Sequence, residues 1–221
     1  MYDWRELVEL YRLTMVPPSN LQPRYNICPT DTIDVIVSGG GDRTLIPMRW
    51  GLVPGWWKKP LKEIKVATFN ARSDTIADKP MFRDSFKRRR CLIPASGYYE
   101  WVTTPEGKQP YYFTRRDGQV ITVAGVQDGW TEPQCGERMR SCSMVITEAN
   151  KFVSDIHGRM PVILDANDFD QWERGDAKDA AALMKPAAEE LLQKWPVSKR
   201  VNSSRADSDD STLIEKIELP K

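Results

Sequence analysis

Cys91-Leu92-Ile93-Pro94-Ala95-Ser96-Gly97-Tyr98-Tyr99-Glu100-Trp101 begins as an apolar run and ends in a carboxylate enclosed by aromatic rings. The first half reads as a strand, and a second strand opens at Gly97, on which successive side chains point to opposite faces. A carboxylate beside so much aromatic surface is costly to desolvate without a partner. Such a setting raises a carboxyl pKa and suits Glu100 to proton transfer near neutral pH. The plainer alternative is an exposed Glu on a strand whose aromatics alternate between faces. This stretch alone leaves both open.

Strands continue on either side. On the amino-terminal side, 33–37 reads as a strand, Gly39-Gly40-Gly41-Asp42 as a turn, and 43–50 as a second run carrying Leu45, Ile46 and Met48. A short strand at 66–69 leads into Asn70-Ala71-Arg72-Ser73-Asp74-Thr75, where Ser73 or Asp74 suits a helix cap. Further along, strands are expected at 110–115, 120–127, 143–147, 162–164 and 196–201, with turns at 104–107 and 116–118. Helices are expected at the margins. Residues 2–13 place Trp4, Leu7, Val8, Leu10 and Tyr11 at helical spacing, and Val16-Pro17-Pro18-Ser19-Asn20 stops them. Others are expected at 81–90, at 168–173 behind a cap at Asp165 or Asn167, and at 187–194. The basic run Lys87-Arg88-Arg89-Arg90 suits a helix C-terminus, and equally a solvated face. A strand-rich middle with peripheral helices implies an α+β fold, a single domain over 1–221 with a mostly antiparallel, barrel-like core.

Composition narrows the function. With 221 residues, 40% hydrophobic and 29% charged, the sequence is that of an ordinary globular protein. A net charge of +1 argues against a bulk polyanion binder, so any nucleic-acid surface must be a local patch. No run approaches a membrane span and no signal-peptide core opens the sequence, which makes the cytoplasm the expected compartment and a membrane partner unexpected. The 4 cysteines form no C-x-x-C pair and there is 1 His, so neither a metal nor another cofactor is expected. Free thiols are the expectation for so few cysteines. His157 is the only side chain whose unperturbed pKa lies near neutrality.

Three polar sites stand out: Asn70-Ala71-Arg72, Glu100 and His157-Gly158-Arg159. Each falls at a strand end or in a loop beside one, where functional groups concentrate. Asn, Glu and His together can orient a substrate and move a proton, and Arg72 and Arg159 can hold phosphates by charge-assisted hydrogen bonds. Trp56 and Trp57 cannot both face the same way on a strand, so at least one is expected at the surface, where it can stack on bases. Singly, each residue has a plain alternative: Asn70 a turn residue, His157 a loop histidine, Trp57 part of a core lid.

Their joint order carries more. Arg24-Tyr25-Asn26-x-x-Pro29-Thr30, Trp50-Gly51-Leu52-Val53-Pro54-Gly55-Trp56, Asn70-Ala71-Arg72-Ser73-Asp74-Thr75, Pro94-Ala95-Ser96-Gly97-Tyr98-Tyr99-Glu100-Trp101 and Asp155-Ile156-His157-Gly158-Arg159-Met160-Pro161 follow one another, with Val197-Ser198-x-x-Val201-Asn202 after them. This sequence resembles the SOS response-associated peptidase (SRAP) family from about Arg24 to Leu219. The resemblance implies a monomeric protein that binds single-stranded DNA containing abasic sites. It implies a covalent crosslink through a cysteine at position two: the α-amine forms a Schiff base with the open-chain sugar aldehyde, and the thiol closes a thiazolidine. It also implies removal of the initiator residue and a self-processing peptidase or lyase activity. By the same resemblance Asn70 holds the amino-terminal nucleophile or sugar, Glu100 shuttles protons, and His157 assists ring opening. Arg72 and Arg159 bind phosphates, Pro29, Trp56 and Trp57 form the wedge near the lesion, and Thr147 is a further candidate for the same floor.

The sequence departs from the family at its start. The family begins Met-Cys, whereas this one reads Met1-Tyr2-Asp3-Trp4 and has no cysteine before Cys28. A thiazolidine needs an amine and a thiol on one residue, which Tyr2 lacks. A start site placed too late is the expectation; a non-crosslinking DNA binder and reaction through another thiol, Cys28, are the alternatives. Cys28 also reads as a small buried hydrophobe. The rival class is a hydrolase using Glu100 and His157, against which stands the absence of a G-x-S-x-G elbow around Ser96.

Overall fold

The structure is a computed structural model and describes residues 4–15 and 22–219. The expected helix stop at 16–20 and the first residues of the expected helix at 2–13 lie outside them. Helix α1 (Trp4–Tyr11) and strand β1 (Leu13–Met15) come first, then β2 (Thr32–Gly39), β3 (Asp42–Trp50) and β4 (Asn70–Arg72). Helix α2 (Arg83–Arg88) precedes β5 (Arg90–Ala95), β6 (Tyr98–Thr104), β7 (Gly107–Arg115), β8 (Ile121–Thr131) and β9 (Arg138–Glu148). Then come α3 (Lys151–Ser154), β10 (Arg159–Pro161), α4 (Phe169–Arg174), α5 (Ala177–Ala182) and β11 (Leu192–Pro196).

A barrel forms because each central strand finds two neighbours. β2 pairs with β3 along its length, Ile36 of β2 meets Leu92 of β5, β5 pairs with β8, and β8 with β9, all antiparallel. The ring closes where β3 runs parallel to β9, with Arg49 opposite Ser141 and Trp50 opposite Cys142. Closure removes the free edges an open sheet would expose. The apolar half of the opening stretch is β5, buried along nearly its whole length because both its faces are covered. Leu92 joins the cluster of Tyr11, Phe169 and Trp172, while Cys91 and Ile93 on the opposite face join Val35, Met48 and Phe113. Trp172 donates its indole N–H to the Cys91 carbonyl at 3.0 Å, so the ring satisfies backbone as well as filling space.

A second sheet, in the order β11-β7-β6, lies beside the barrel. Its β6–β7 hairpin is antiparallel, and β11 pairs with β7 from Leu192–Arg115 to Pro196–Tyr111. The α+β expectation holds, and the barrel with it. The antiparallel expectation holds for most ladders, but β1–β3, β3–β9 and β4–β9 are parallel.

Several local expectations are corrected. No strand forms at 66–69; β4 begins just past it at Asn70, where it can pair with Met144–Ile146. Ser73 and Asp74 cap no helix; they lie in a turn, and the helix starts at Arg83. The helix expected at 187–194 is replaced by irregular backbone and β11, since pairing with β7 overrides weak local propensity. In place of the strand expected at 196–201 there is a 3-10 turn at Lys199–Asn202, and the expected strand at 162–164 is reduced to a single bridge between Val123 and Ile163. Asp165 makes no side-chain cap. Helices α3 and α5 were not expected; Asn150 caps the first through the Val153 N–H and Asp176 the second through those of Lys178 and Asp179.

Candidate active site and nucleic-acid interface

β6 is pressed against β7 at its first turn. A Cβ on Gly97 would stand 2.3 Å from Tyr112 Cζ and 2.4 Å from the Phe113 carbonyl oxygen, so only glycine lets the chain pass there. Beyond it, side chains alternate. Tyr98 and Glu100 share one face, and Tyr98 stacks on Phe113 with ring centroids 5.0 Å apart. Tyr99 and Trp101 share the other; the Tyr99 hydroxyl donates to the Tyr25 carbonyl at 2.6 Å, and the Trp101 indole to Asn202 Oδ1 at 2.7 Å. The two candidate readings of the stretch therefore meet: the aromatics do alternate, and the carboxylate is still enclosed.

Glu100 opens onto a cavity of about 1400 Å³ that also receives Asn70, His157, Trp50, Met144 and Ile93. Its side chain is 21% exposed. Burial lifts its pKa to about 7, while the nearby His157 charge and the Trp101 backbone N–H pull it back. His157 Nδ1 lies 3.5 Å from Glu100 Oε2. The same nitrogen lies 3.1 Å from the Arg159 carbonyl oxygen and 3.2 Å from the Arg159 nitrogen. Unprotonated Nδ1 accepts the Arg159 N–H; protonated, it donates to the Arg159 oxygen or faces the Glu100 carboxylate. Both ring states thus have partners. Asn70, on β4, lines the cavity with its carboxamide making no hydrogen bond among the described residues, which leaves it available to a ligand.

Arg72 and Arg159 stand outside the cavity, joined through Asp74. Arg72 Nε and Nη2 donate to Asp74 at 3.1 and 2.6 Å, and Arg159 Nη2 reaches the same carboxylate at 3.3 Å. Asp74 is pulled down to about 2, chiefly by its hydrogen bond to Arg72. Sequence reading missed this role; the signal available was an acid two residues after an arginine beyond a short strand.

Trp56 is 45% exposed and Trp57 is half-buried, with the rings meeting edge to face. Asp128 was also missed. It accepts from the Gly55 N–H at 3.0 Å and from Arg89 at 2.9 Å, while Trp130 donates to the Trp57 carbonyl at 2.7 Å. A Cβ on Gly55 would stand 2.8 Å from the Gly129 oxygen, so this turn can dock only as glycine. Pro29 is exposed on the ridge between the main cavity and a second one of about 330 Å³. Thr147 is not on the cavity wall. It is buried, its hydroxyl meeting Ser73 Oγ at 3.2 Å, and so supports the turn that carries Asp74. Cys28 does line the cavity, but burial and the Asp31 charge push its thiol pKa up, away from the nucleophilic thiolate.

The comparisons with known proteins agree with one another. The family model described as SOS response associated peptidase (SRAP) matches residues 2–204. The abasic site processing protein YoqW of Bacillus subtilis (strain 168) is 31% identical over 218 residues, covering 96% of this chain and 95% of that protein. The abasic site processing protein HMCES of Xenopus tropicalis is 35% identical over 215 residues, covering 83% of this chain and 64% of that protein. Among solved structures, a protein from Bacteroides thetaiotaomicron superposes with a TM-score of 0.77 at 26% identity, covering 86% of this chain and 82% of that one. Another, from Bordetella bronchiseptica, gives 0.74 at 25% identity over 90% and 97%.

Proposed function

Since the chain belongs to the SOS response associated peptidase (SRAP) family, we propose that it is an abasic-site processing protein whose Asn70–Glu100–His157 cavity receives the sugar of an abasic site in single-stranded DNA. The observation that carries this reading is a carboxyl held near neutrality beside the only imidazole, in a cavity whose lining residues Asn70 and His157 each stand two residues before an arginine. Arg72 and Arg159 take backbone phosphates by charge-assisted hydrogen bonds, which fix position without reading sequence. The exposed ring of Trp56 fills the gap left by the missing base.

The chemistry follows from the pair. An open-chain abasic sugar presents an aldehyde. A primary amine adds to its carbon to give a carbinolamine. Glu100, which holds its proton up to about pH 7, delivers that proton to the departing hydroxyl; water leaves and an imine remains. A thiol on the same residue as the amine then adds across the C=N bond, sulfur to carbon and proton to nitrogen, closing a thiazolidine. His157 passes the proton lost by the amine back to Glu100. Asn70 orients the amine or the sugar hydroxyls with its free carboxamide. Release of an initiator residue, by addition of water to its peptide carbonyl and departure of the freed α-amine, is assigned to the same proton relay.

The covalent step belongs to a chain carrying the family's Met-Cys start. Tyr2 offers no thiol, and the raised Cys28 thiol is a poor substitute. Ring closure is therefore assigned only to a chain whose second residue carries both an amine and a thiol. A denaturing gel tests this: the sequence as written and a Met-Cys version are each mixed with single-stranded DNA holding one abasic site. A heat-stable shifted band only from the Met-Cys version is the expected result. No band from either, with the initiator Met removed, overturns the covalent reading, and a band from both moves the nucleophile to Cys28.

A further inference from the structure

We propose that Asp74 is a specificity-determining positioning residue, one carboxylate that yokes Arg72 and Arg159 into a single phosphate clamp; this rests on the reading that those arginines meet DNA. The backbone places the two arginines apart. Ile146 of β9 pairs with Arg72 of β4 on one side and with Pro161 of β10 on the other, with Arg159 opposite Glu148. β4 and β10 are thus two strand spacings apart, about 10 Å. Asp74 closes that gap: its Oδ2 lies 2.6 Å from Arg72 Nη2 and 3.3 Å from Arg159 Nη2.

The carboxylate does not depend on the arginines for its own place. The Ser73 N–H donates to the Ile146 carbonyl at 2.8 Å, the Ser73 hydroxyl meets Thr147, and the N–H groups of Thr75 and buried Ile76 both return to the Arg72 carbonyl. The turn is anchored and Asp74 is presented by it. Its depressed pKa keeps it charged at every working pH.

Stability does not account for the arrangement. The side chains of Arg72, Asp74 and Arg159 are 55%, 45% and 28% exposed, and exposed ion pairs add little to folding. Charge does. Two guanidiniums and one carboxylate carry a net single positive charge, matched to one phosphodiester. Without Asp74 the arginines would hold more positive charge and grip any strand harder, but each on its own. With it, non-specific attraction is weaker and the two forks keep a fixed spacing. The clamp gives up affinity for intact strands in exchange for the register that sets the sugar over the cavity.

The experiment measures binding of an intact single strand and of one carrying a tetrahydrofuran abasic analogue, by fluorescence anisotropy across a salt series. Wild type, Asp74→Asn, Asp74→Glu, Arg72→Ala and Arg159→Ala are compared, each checked for folding by thermal melting. Asp74→Asn is expected to steepen the salt slope by about 0.7, the effect of one further charge on a single strand. It should bind the intact strand about threefold tighter at low salt and lose about fivefold of the preference for the analogue, while Asp74→Glu keeps the wild-type pattern. A slope and preference unchanged in Asp74→Asn, with both arginine variants weakened, overturns the clamp alone. If the arginine variants bind as well as wild type, or wild type shows no preference, the DNA reading fails and the clamp with it.

Discussion

Glu100 Oε2 lies 3.5 Å from His157 Nδ1, within a cavity wall that leaves the carboxylate about one-fifth exposed. Burial raises the Glu100 pKa and the imidazole charge opposes that rise, so the pair is poised between a neutral form and an ion pair. The consequence for stability has a definite sign. In the unfolded chain Glu100 loses its proton near 4.5; in the folded chain it keeps it to about 7. Between those values the native state binds more protons, so stability falls as pH rises through this window and then levels. Glu100→Gln removes that slope and should gain on the order of 1 to 3 kcal/mol over wild type above pH 7, with little difference at pH 4. Urea unfolding at pH 4, 6 and 8 reads it; parallel curves for the two proteins would show that burial does not perturb this carboxyl.

His157→Ala tests the other half of the pair. It removes the charge that holds Glu100 down, so the fall in stability with pH should extend to higher pH than in wild type. The structural cost is small, because His157 is exposed and its hydrogen bonds go to Arg159 backbone. A pH midpoint that moves downward, or not at all, would contradict the assigned coupling.

Asp128 organises the tryptophan turn from behind. It is buried and accepts from Gly55, Arg89 and the Gly129 N–H. Asp128→Ala takes the side-chain acceptor from a guanidinium and two backbone N–H groups and should destabilise by about 3 kcal/mol. Asp128→Asn keeps one acceptor oxygen and should cost less. Acrylamide quenching of tryptophan fluorescence at matched stability should rise in the alanine variant as the turn holding Trp56 loosens; unchanged quenching would detach Asp128 from that turn.

Much of the site was legible because its residues sit at strand ends, and strands announce themselves by alternation. The stretch around β5 and β6 gave both the buried run and the enclosed carboxylate. Asn70, Glu100 and His157 do meet in one cavity. What stayed hidden depends on contacts far apart in sequence. Closure of the barrel rests on two parallel pairs between β3 and β9, which no local pattern encodes. Residues 187–194 look helical, but β7 draws the last three into a ladder and the rest is irregular. Asp74 looked like a cap because Asp favours that position, and its partner Arg159 lies on a different strand. Thr147 looked like floor, but the pleat turns it inward beneath Ser73.

The buried pair beneath α4 gives the last prediction. Arg43 Nε lies 2.6 Å from Glu173 Oε2, the Glu173 side chain is 0% exposed, and Arg43 Nη2 also reaches Asp170 at 2.9 Å. Glu173 Oε1 is buried with no hydrogen-bond partner among the described residues, and burial raises the Glu173 pKa against the pull of Arg43. The carboxylate is therefore held in the fold by one guanidinium. Arg43→Met strands it and should cost about 3 to 5 kcal/mol near neutral pH, whereas replacing both groups with apolar ones leaves no unpaired charge. Arg43→Met/Glu173→Leu should recover most of that loss, and the single variant should recover part of it at acid pH, where Glu173 takes a proton. A double-mutant cycle by urea unfolding at pH 5 and 7.5 measures both effects. Additive losses would mean that Arg43 serves Asp170 or its stacking on Phe169, 5.7 Å from the ring centroid, more than Glu173.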